Sequence, residues 1–312
     1  MDTNAIVFEK PGELGLRRVS LCRPGAGDVV VEASLSGIST GTEKLLFEGS
    51  MPYFPGLTYP LVPGYETLGS VVEAGPVSGH GVGDLVFVPG SNGFTDAAGL
   101  FGANAARLVV PGARCVSVSP ALAPEAPLLA LAATAHNAIK RANRAPSLVI
   151  GHGVLGRLIA RIIIALGHEA PRVWETNPAR RGGATSYDVI DPSLDDGPPY
   201  CAVIDASGDV RAIDAAVARL ARQGELVLAG FYSQRVSFDF VPAFLREISL
   251  CVAAEFRPAD MAAVLALHEA GVLSLDGLIT HRAAPAQAQD AFRTAFSDPE
   301  CLKMVIDWRM AA

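Results

Sequence analysis

The 312-residue sequence predicts an α/β protein in which a β-rich unit precedes a doubly wound parallel sheet. Three observations carry that expectation. Short runs of β-branched residues bounded by Pro-Gly turns fill the first 120 residues. Strand and helix patterns then alternate from residue 147 onward, and the first strand of that alternation runs into a glycine-rich loop that opens a helix. Length agrees with two units, because single hydrophobic cores rarely exceed about 250–300 residues.

The strands of the first part are Ala5–Phe8, Asp28–Ser36, Leu68–Glu73 and Leu85–Val88, punctuated by Pro24-Gly25, Pro63-Gly64 and Pro89-Gly90. Many short strands with such turns make a barrel-like or sandwich-like unit. After Pro120 the composition turns to Ala and Leu. Leu128–Ala135 is the most apolar stretch, far short of the roughly 18 residues that cross a bilayer. Ser147–Ile150 is a strand. In Val154–Leu166 the residues Val154, Leu158, Ile162 and Leu166 recur at helical spacing, with Arg157 and Arg161 on another face. Strands at Arg172–Trp174, Ala202–Asp205 and Glu225–Ala229 follow, with a helix over Val210–Arg222. The tail from Pro258 is mainly helical and closes on a strand at Lys303–Trp308. This βαβα order requires parallel strands with crossover helices.

Composition excludes several classes. Half the residues are hydrophobic and 18% are charged, which excludes a disordered chain. A net charge of −7 argues against nucleic acid as a partner. The five cysteines are widely spread and form no C-x-x-C pair, so neither a disulfide framework nor a zinc knuckle is expected. With no basic and apolar leader at the start, the expected compartment is reducing and cytoplasmic.

The run Gly151-His152-Gly153-Val154-Leu155-Gly156 is a G-x-G-x-x-G loop with a strand before it and a helix after it. In such a loop the first glycine permits the turn, the second lets backbone approach a pyrophosphate, and the third lets helix pack on strand. The helix N-terminus adds free N–H groups and positive partial charge. Glu175 ends the next strand, at the distance where an acid accepts hydrogen bonds from the adenosine ribose. That favours NAD over NADP, while Arg180 and Arg181 just beyond it are the residues that would hold a 2′-phosphate. Ser207 and Gly230, at later strand ends, complete the expected cofactor-binding set.

The plan and its landmarks, Pro63-Gly64-Tyr65-Glu66, Gly79-His80-Gly81-Val82-Gly83-Asp84, Ala133-Thr134-Ala135-His136 and Leu278-Ile279-Thr280-His281, resemble the medium-chain dehydrogenase/reductase superfamily across essentially the whole chain. The resemblance implies a GroES-like catalytic domain over residues 1–120, completed by 250–312, and a Rossmann domain over 121–249. The departures point to its zinc-free branch. Where zinc members carry Cys in Gly-Ile-Cys-Gly-Thr-Asp, this chain has Gly37-Ile38-Ser39-Thr40-Gly41-Thr42-Glu43. It has Tyr65 where they carry His, and no Cys lies between Val88 and Val110. No metal is expected.

Without zinc, side-chain hydrogen bonds must stabilise the developing alkoxide and move the proton. The candidates are Thr40, Thr42, Tyr65, Glu66 and His136, and the sequence leaves the choice among them open. A closer resemblance, carried by Ser39–Leu46, Met51-Pro52, Tyr59–Glu66 and Val236–Phe244, is to dehydrogenases of bacteriochlorophyll biosynthesis. It implies NAD-dependent oxidation of the 3-(1-hydroxyethyl) group of a magnesium bacteriochlorin to 3-acetyl. Phe47, Met51, Tyr53, Phe54 and Tyr59 are suited to wall such a flat tetrapyrrole substrate. An apolar pigment brings with it an expectation of peripheral membrane contact; oligomeric state is not readable. The competing readings are a zinc-free NADPH-dependent quinone or enoyl reductase, and a tetrapyrrole carrier without turnover.

Overall fold

The computed structural model describes residues 1–184 and 186–310, in two compact units: residues 1–129 with 276–310, and residues 130–275. The last two residues of the expected return segment, 311 and 312, lie outside the described residues.

The first unit opens on a hairpin, β1 (Asp2–Lys10) against β2 (Glu13–Ser20). Ala5, Ile6, Val7 and Phe8 are all fully buried because β1 lies between two cores. Ala5 and Val7 join a valine-rich cluster with Val29, Val31 and Val71, while Ile6 and Phe8 join another with Ile38, Leu46 and Leu61. This follows from the period-2 alternation of a strand. Next come β3 (Asp28–Ile38), α1 (Thr42–Glu48), β4 (Leu61–Val62), β5 (Thr67–Ala74), β6 (Leu85–Val88), β7 (Ala98–Gly99), β8 (Arg107–Pro111) and β9 (Val116–Ser117). β3 is the hub, antiparallel to β5 along one edge and to β8 along part of its length.

The second unit carries α2 (Leu129–Arg141), which begins at the boundary, then β10 (Leu148–Ile150), α3 (Val154–Ala165), β11 (Arg172–Trp174), β12 (Val189–Ile190) and β13 (Tyr200–Asp205). It continues with α4 (Arg211–Arg219), β14 (Leu220–Leu228), α5 (Phe240–Arg246), β15 (Ser249–Val252) and α6 (Pro258–Glu269). The six strands are parallel, in the order β12-β11-β10-β13-β14-β15. The order reverses beside β10, so the carboxyl ends of β10 and β13 open a crevice at the topological switch point.

Three boundaries differ from the sequence expectation. The first unit runs to residue 129, not 120. The return to the first unit comes at residue 276, not 250. β15 is the sixth strand of the parallel sheet, with Leu250 opposite Leu226, and α6 is tied to α2 through Asp260. A four-residue strand with one polar end carries no signal of its partner. The expected helix over 210–222 ends at Arg219, because Leu220 turns extended and pairs with Tyr200.

The return segment holds β16 (His281–Ala283), α7 (Ala288–Ser297) and β17 (Met304–Asp307). β17 runs antiparallel to β3, Met304 opposite Ile38, and Phe292 of α7 meets Phe8 edge to face at 5.4 Å. Its last turn brings Lys303 into the interior beside Glu66.

Candidate functional sites: a dinucleotide cradle and a half-buried hydroxyl cluster

The cradle belongs to the second unit. α3 starts at Val154 with no side-chain cap, so its first N–H groups have no partner within the helix. The glycines differ in what they face. A Cβ on Gly156 would stand 1.8 Å from the Gly151 carbonyl oxygen, whereas one on Gly153 would meet nothing within 4 Å. Gly156 is therefore a packing requirement and Gly153 borders open space, which suits a loop that takes a pyrophosphate against its backbone.

His152 turns inward. It is fully buried, its Nδ1 lies 2.6 Å from the Arg180 carbonyl and its Nε2 lies 3.0 Å from the Tyr187 hydroxyl. Burial pushes its pKa down to about 4, so the ring is neutral, donating from Nδ1 and accepting at Nε2. Arg157, also buried, donates from Nε to the His152 carbonyl and from Nη2 to the carbonyls of Arg180 and Gly182. Together they staple the loop to the segment after β11. Neither partner lies within reach of a sequence pattern.

Glu175 sits at the end of β11, 9% exposed, and accepts the N–H groups of His152 at 2.9 Å and Asn177 at 2.8 Å. Each carboxylate oxygen retains a further lone pair for a ribose hydroxyl. Ser207 donates its hydroxyl to Asp205 at 2.6 Å, and the N–H of Gly230 donates to the Asp205 carbonyl at 3.0 Å. Asp205 also accepts from Tyr232 at 2.9 Å, which braces two neighbouring strand ends. Ser207 thus serves the turn with its side chain.

His136 lies on α2 of the same unit. Its Nδ1 is 2.9 Å from Asp260 Oδ1, and Lys140 donates to the same oxygen at 2.9 Å. Asn137 reaches the carbonyls of Ala254 and Glu255, which follow β15, so this trio stands beyond the carboxyl end of the sixth strand. The Asp260 contact fixes the orientation of the ring. Asp260 was not among the sequence candidates, and 124 residues separate it from His136.

The hydroxyl cluster belongs to the first unit. β3 ends at Ile38, and the turn into α1 delivers Ser39 and Thr42 to one place. Tyr65 Oη donates to Ser39 Oγ at 2.6 Å, Thr42 Oγ1 donates to Tyr65 Oη at 3.2 Å, and Ser39 and Thr42 lie 3.3 Å apart. Burial and the nearby Glu66 charge push the Tyr65 phenol well above its ordinary value, so it is a neutral donor rather than a phenolate base. Thr40 stands exposed on the turn, outside this cluster. The Tyr65 ring meets Phe101 edge to face at 5.5 Å, and Phe101 meets Phe54 at 6.1 Å. Of the expected aromatic wall, Tyr53 is 95% exposed, while Phe47, which meets Phe8, and Tyr59, which donates to the Leu46 carbonyl, are partly buried against the same core as Met51 and Phe54.

Beneath the hydroxyls, Glu66 pairs with Lys303, both fully buried. Gly37 makes room for them: a Cβ there would stand 2.3 Å from a Glu66 oxygen and 2.9 Å from Lys303 Cε. Glu43 is buried in the same charge cluster. Burial and the Glu66 charge push its pKa well up, while burial raises that of Glu66 against the pull of Lys303. Burial and the neighbouring Glu66 charge thus favour the neutral form of Glu43, while Lys303 favours the charged form of Glu66. Sequence spacing offers no signal for Lys303, 237 residues from Glu66.

Among the described residues no three His, Cys, Asp or Glu side chains converge as metal ligands, and hydroxyls stand at Ser39 and Tyr65. Hydroxyl groups differ from the thiolate, imidazole and carboxylate ligands that zinc prefers.

Residues 25–120 match the alcohol dehydrogenase GroES-like domain family. Over its whole length, and the whole length of each relative, the chain is 55% identical to the 2-desacetyl-2-hydroxyethyl bacteriochlorophyllide A dehydrogenase of Cereibacter sphaeroides and 53% identical to that of Rhodobacter capsulatus. Among solved structures, a short chain alcohol dehydrogenase of Escherichia coli CFT073 in complex with NADH superposes with a TM-score of 0.83. That likeness covers 98% of this chain and 99% of that one at 21% identity, and it carries the fold alone.

Proposed function

Because the chain belongs to the family of the 2-desacetyl-2-hydroxyethyl bacteriochlorophyllide A dehydrogenases, a branch of the medium-chain dehydrogenases/reductases, we propose that it oxidises the 3-(1-hydroxyethyl) group of a bacteriochlorophyllide to 3-acetyl, using NAD and no metal. The observation that carries the reading is the full-length likeness to those relatives, joined to a cradle whose acid stands at the end of β11.

NAD, when bound, supplies the hydride acceptor. The residues of this chain do the rest. The α3 N-terminus and Gly153 take the pyrophosphate, and Glu175 takes the ribose hydroxyls and repels a 2′-phosphate. On the substrate side, Tyr65, positioned by Ser39 and Thr42, donates a hydrogen bond to the reacting oxygen and lowers the cost of its developing charge. Phe54 and Phe101, running on from the Tyr65 ring, offer an aromatic surface to the macrocycle. Glu66 and Lys303 support this floor from inside. The hydroxyl proton needs an acceptor as the hydride leaves, and one contact favours His136 for it: with Nδ1 turned to Asp260, Nε2 is the ring's accepting nitrogen.

The test is anaerobic incubation with NAD and the hydroxyethyl bacteriochlorophyllide, following the pigment's red band and NADH together. One NADH per pigment converted is expected. Pigment binding without NADH formation supports a carrier, and turnover only with NADPH supports the reductase alternative. For the metal-free part, metal analysis and chelator treatment of active protein serve: stoichiometric zinc whose removal abolishes turnover overturns it.

A further inference from the structure

Arg181 lies six residues beyond Glu175, in the loop where an arginine serves to hold the 2′-phosphate of NADP. Its guanidinium is engaged elsewhere. Nε donates to the Glu175 backbone carbonyl at 2.8 Å, Nη2 donates to the Thr176 carbonyl at 2.8 Å, and Nη2 also forms a close ion pair with Asp191. Asp191 follows β12, the neighbour of β11, so the pair ties two adjacent strand ends together. Asp191 is itself fixed as the cap of the next turn, accepting the N–H of Ser193 at 2.9 Å and its hydroxyl at 2.7 Å. Those bonds, with Arg181, hold its carboxyl below the usual range, so it is charged at neutral pH.

We propose that Asp191 is a specificity-determining residue that withholds Arg181 from the adenosine end of the cradle. The Glu175 carboxylate then faces the cofactor without that cation, and a 2′-phosphate meets repulsion that Arg181 does not offset. The inference rests on the NAD reading above and deepens it.

The test is calorimetric titration of the full chain with NADH and NADPH, a readout independent of turnover. Asp191→Ser keeps a capping oxygen for Ser193 but is too short to reach Arg181. The variant should bind NADPH about tenfold or more tightly than wild type, the scale of one charge-assisted hydrogen bond, with NADH binding little changed. Adding Arg181→Ala should abolish the gain, and Arg181→Ala alone should leave NADPH binding as in wild type. Asp191→Asn, which keeps the shape and loses the charge, gives the same comparison if the serine variant is unstable. An unchanged NADH-to-NADPH ratio in both Asp191 variants overturns the proposal, as does a gain that survives Arg181→Ala. Wild type binding NADPH better than NADH overturns the NAD reading itself.

Discussion

Tyr65 Oη donates to Ser39 Oγ across 2.6 Å, joining the two positions at which zinc-dependent relatives by resemblance carry metal ligands. One hydroxyl thus holds another in place. Tyr65→Phe removes the donor and keeps the ring contact with Phe101. Turnover should fall by ~10²–10³, with NADH binding unchanged by titration. Thr40→Val, on the exposed turn, should lose far less. Near-normal turnover in Tyr65→Phe with a large loss in His136→Gln would mean that the His136–Asp260 pair, and not the Tyr65 hydroxyl, carries the chemistry at the reacting oxygen.

Gly153 and Gly156 separate binding from folding. Gly153→Ala adds a methyl to open space, so thermal stability should hold while NADH affinity falls at least tenfold by the loss of close backbone approach. In Gly156→Ala the methyl collides with the Gly151 carbonyl, so both stability and binding should fall. Equal NADH affinity in Gly153→Ala and wild type would remove the loop from the cofactor site.

Lys303 neutralises a buried carboxylate, so its loss is a stability effect. Lys303→Met leaves Glu66 without its ion-pair partner and should cost about 3–5 kcal/mol in denaturant unfolding. The double variant with Glu66→Gln should recover much of that cost, since no unpaired charge then remains. A Lys303→Met protein as stable as wild type would mean that Glu66 takes up a proton at little cost.

His152 makes stability depend on pH. Its folded pKa, near 4, lies below the ordinary histidine value, so between about 6.5 and 4 the unfolded chain binds the extra proton. The stabilisation from the neutral ring is complete above about 6.5 and is lost as pH falls toward 4. His152→Gln should flatten that part of the stability curve measured by denaturant titration. An unchanged slope would assign the acid sensitivity to other groups.

The parts legible in the sequence are those written in consecutive residues. The loop from Gly151 to Gly156, Glu175 at the end of its strand, and the β-rich first unit follow from local spacing, because turn geometry and strand period depend on near neighbours. Tyr65, Thr42 and Ser39 stood out through departures from a family pattern. What the tertiary structure decided is which distant groups meet. Lys303 reaches Glu66 only because β17 pairs with β3, and Asp260 reaches His136 only because β15 extends the parallel sheet and carries α6 back to α2. Asp191 reaches Arg181 only because β12 lies beside β11. Each of these contacts neutralises or orients a charge, and the energy of a charge depends on distance and burial, which strand pairing supplies and residue order does not.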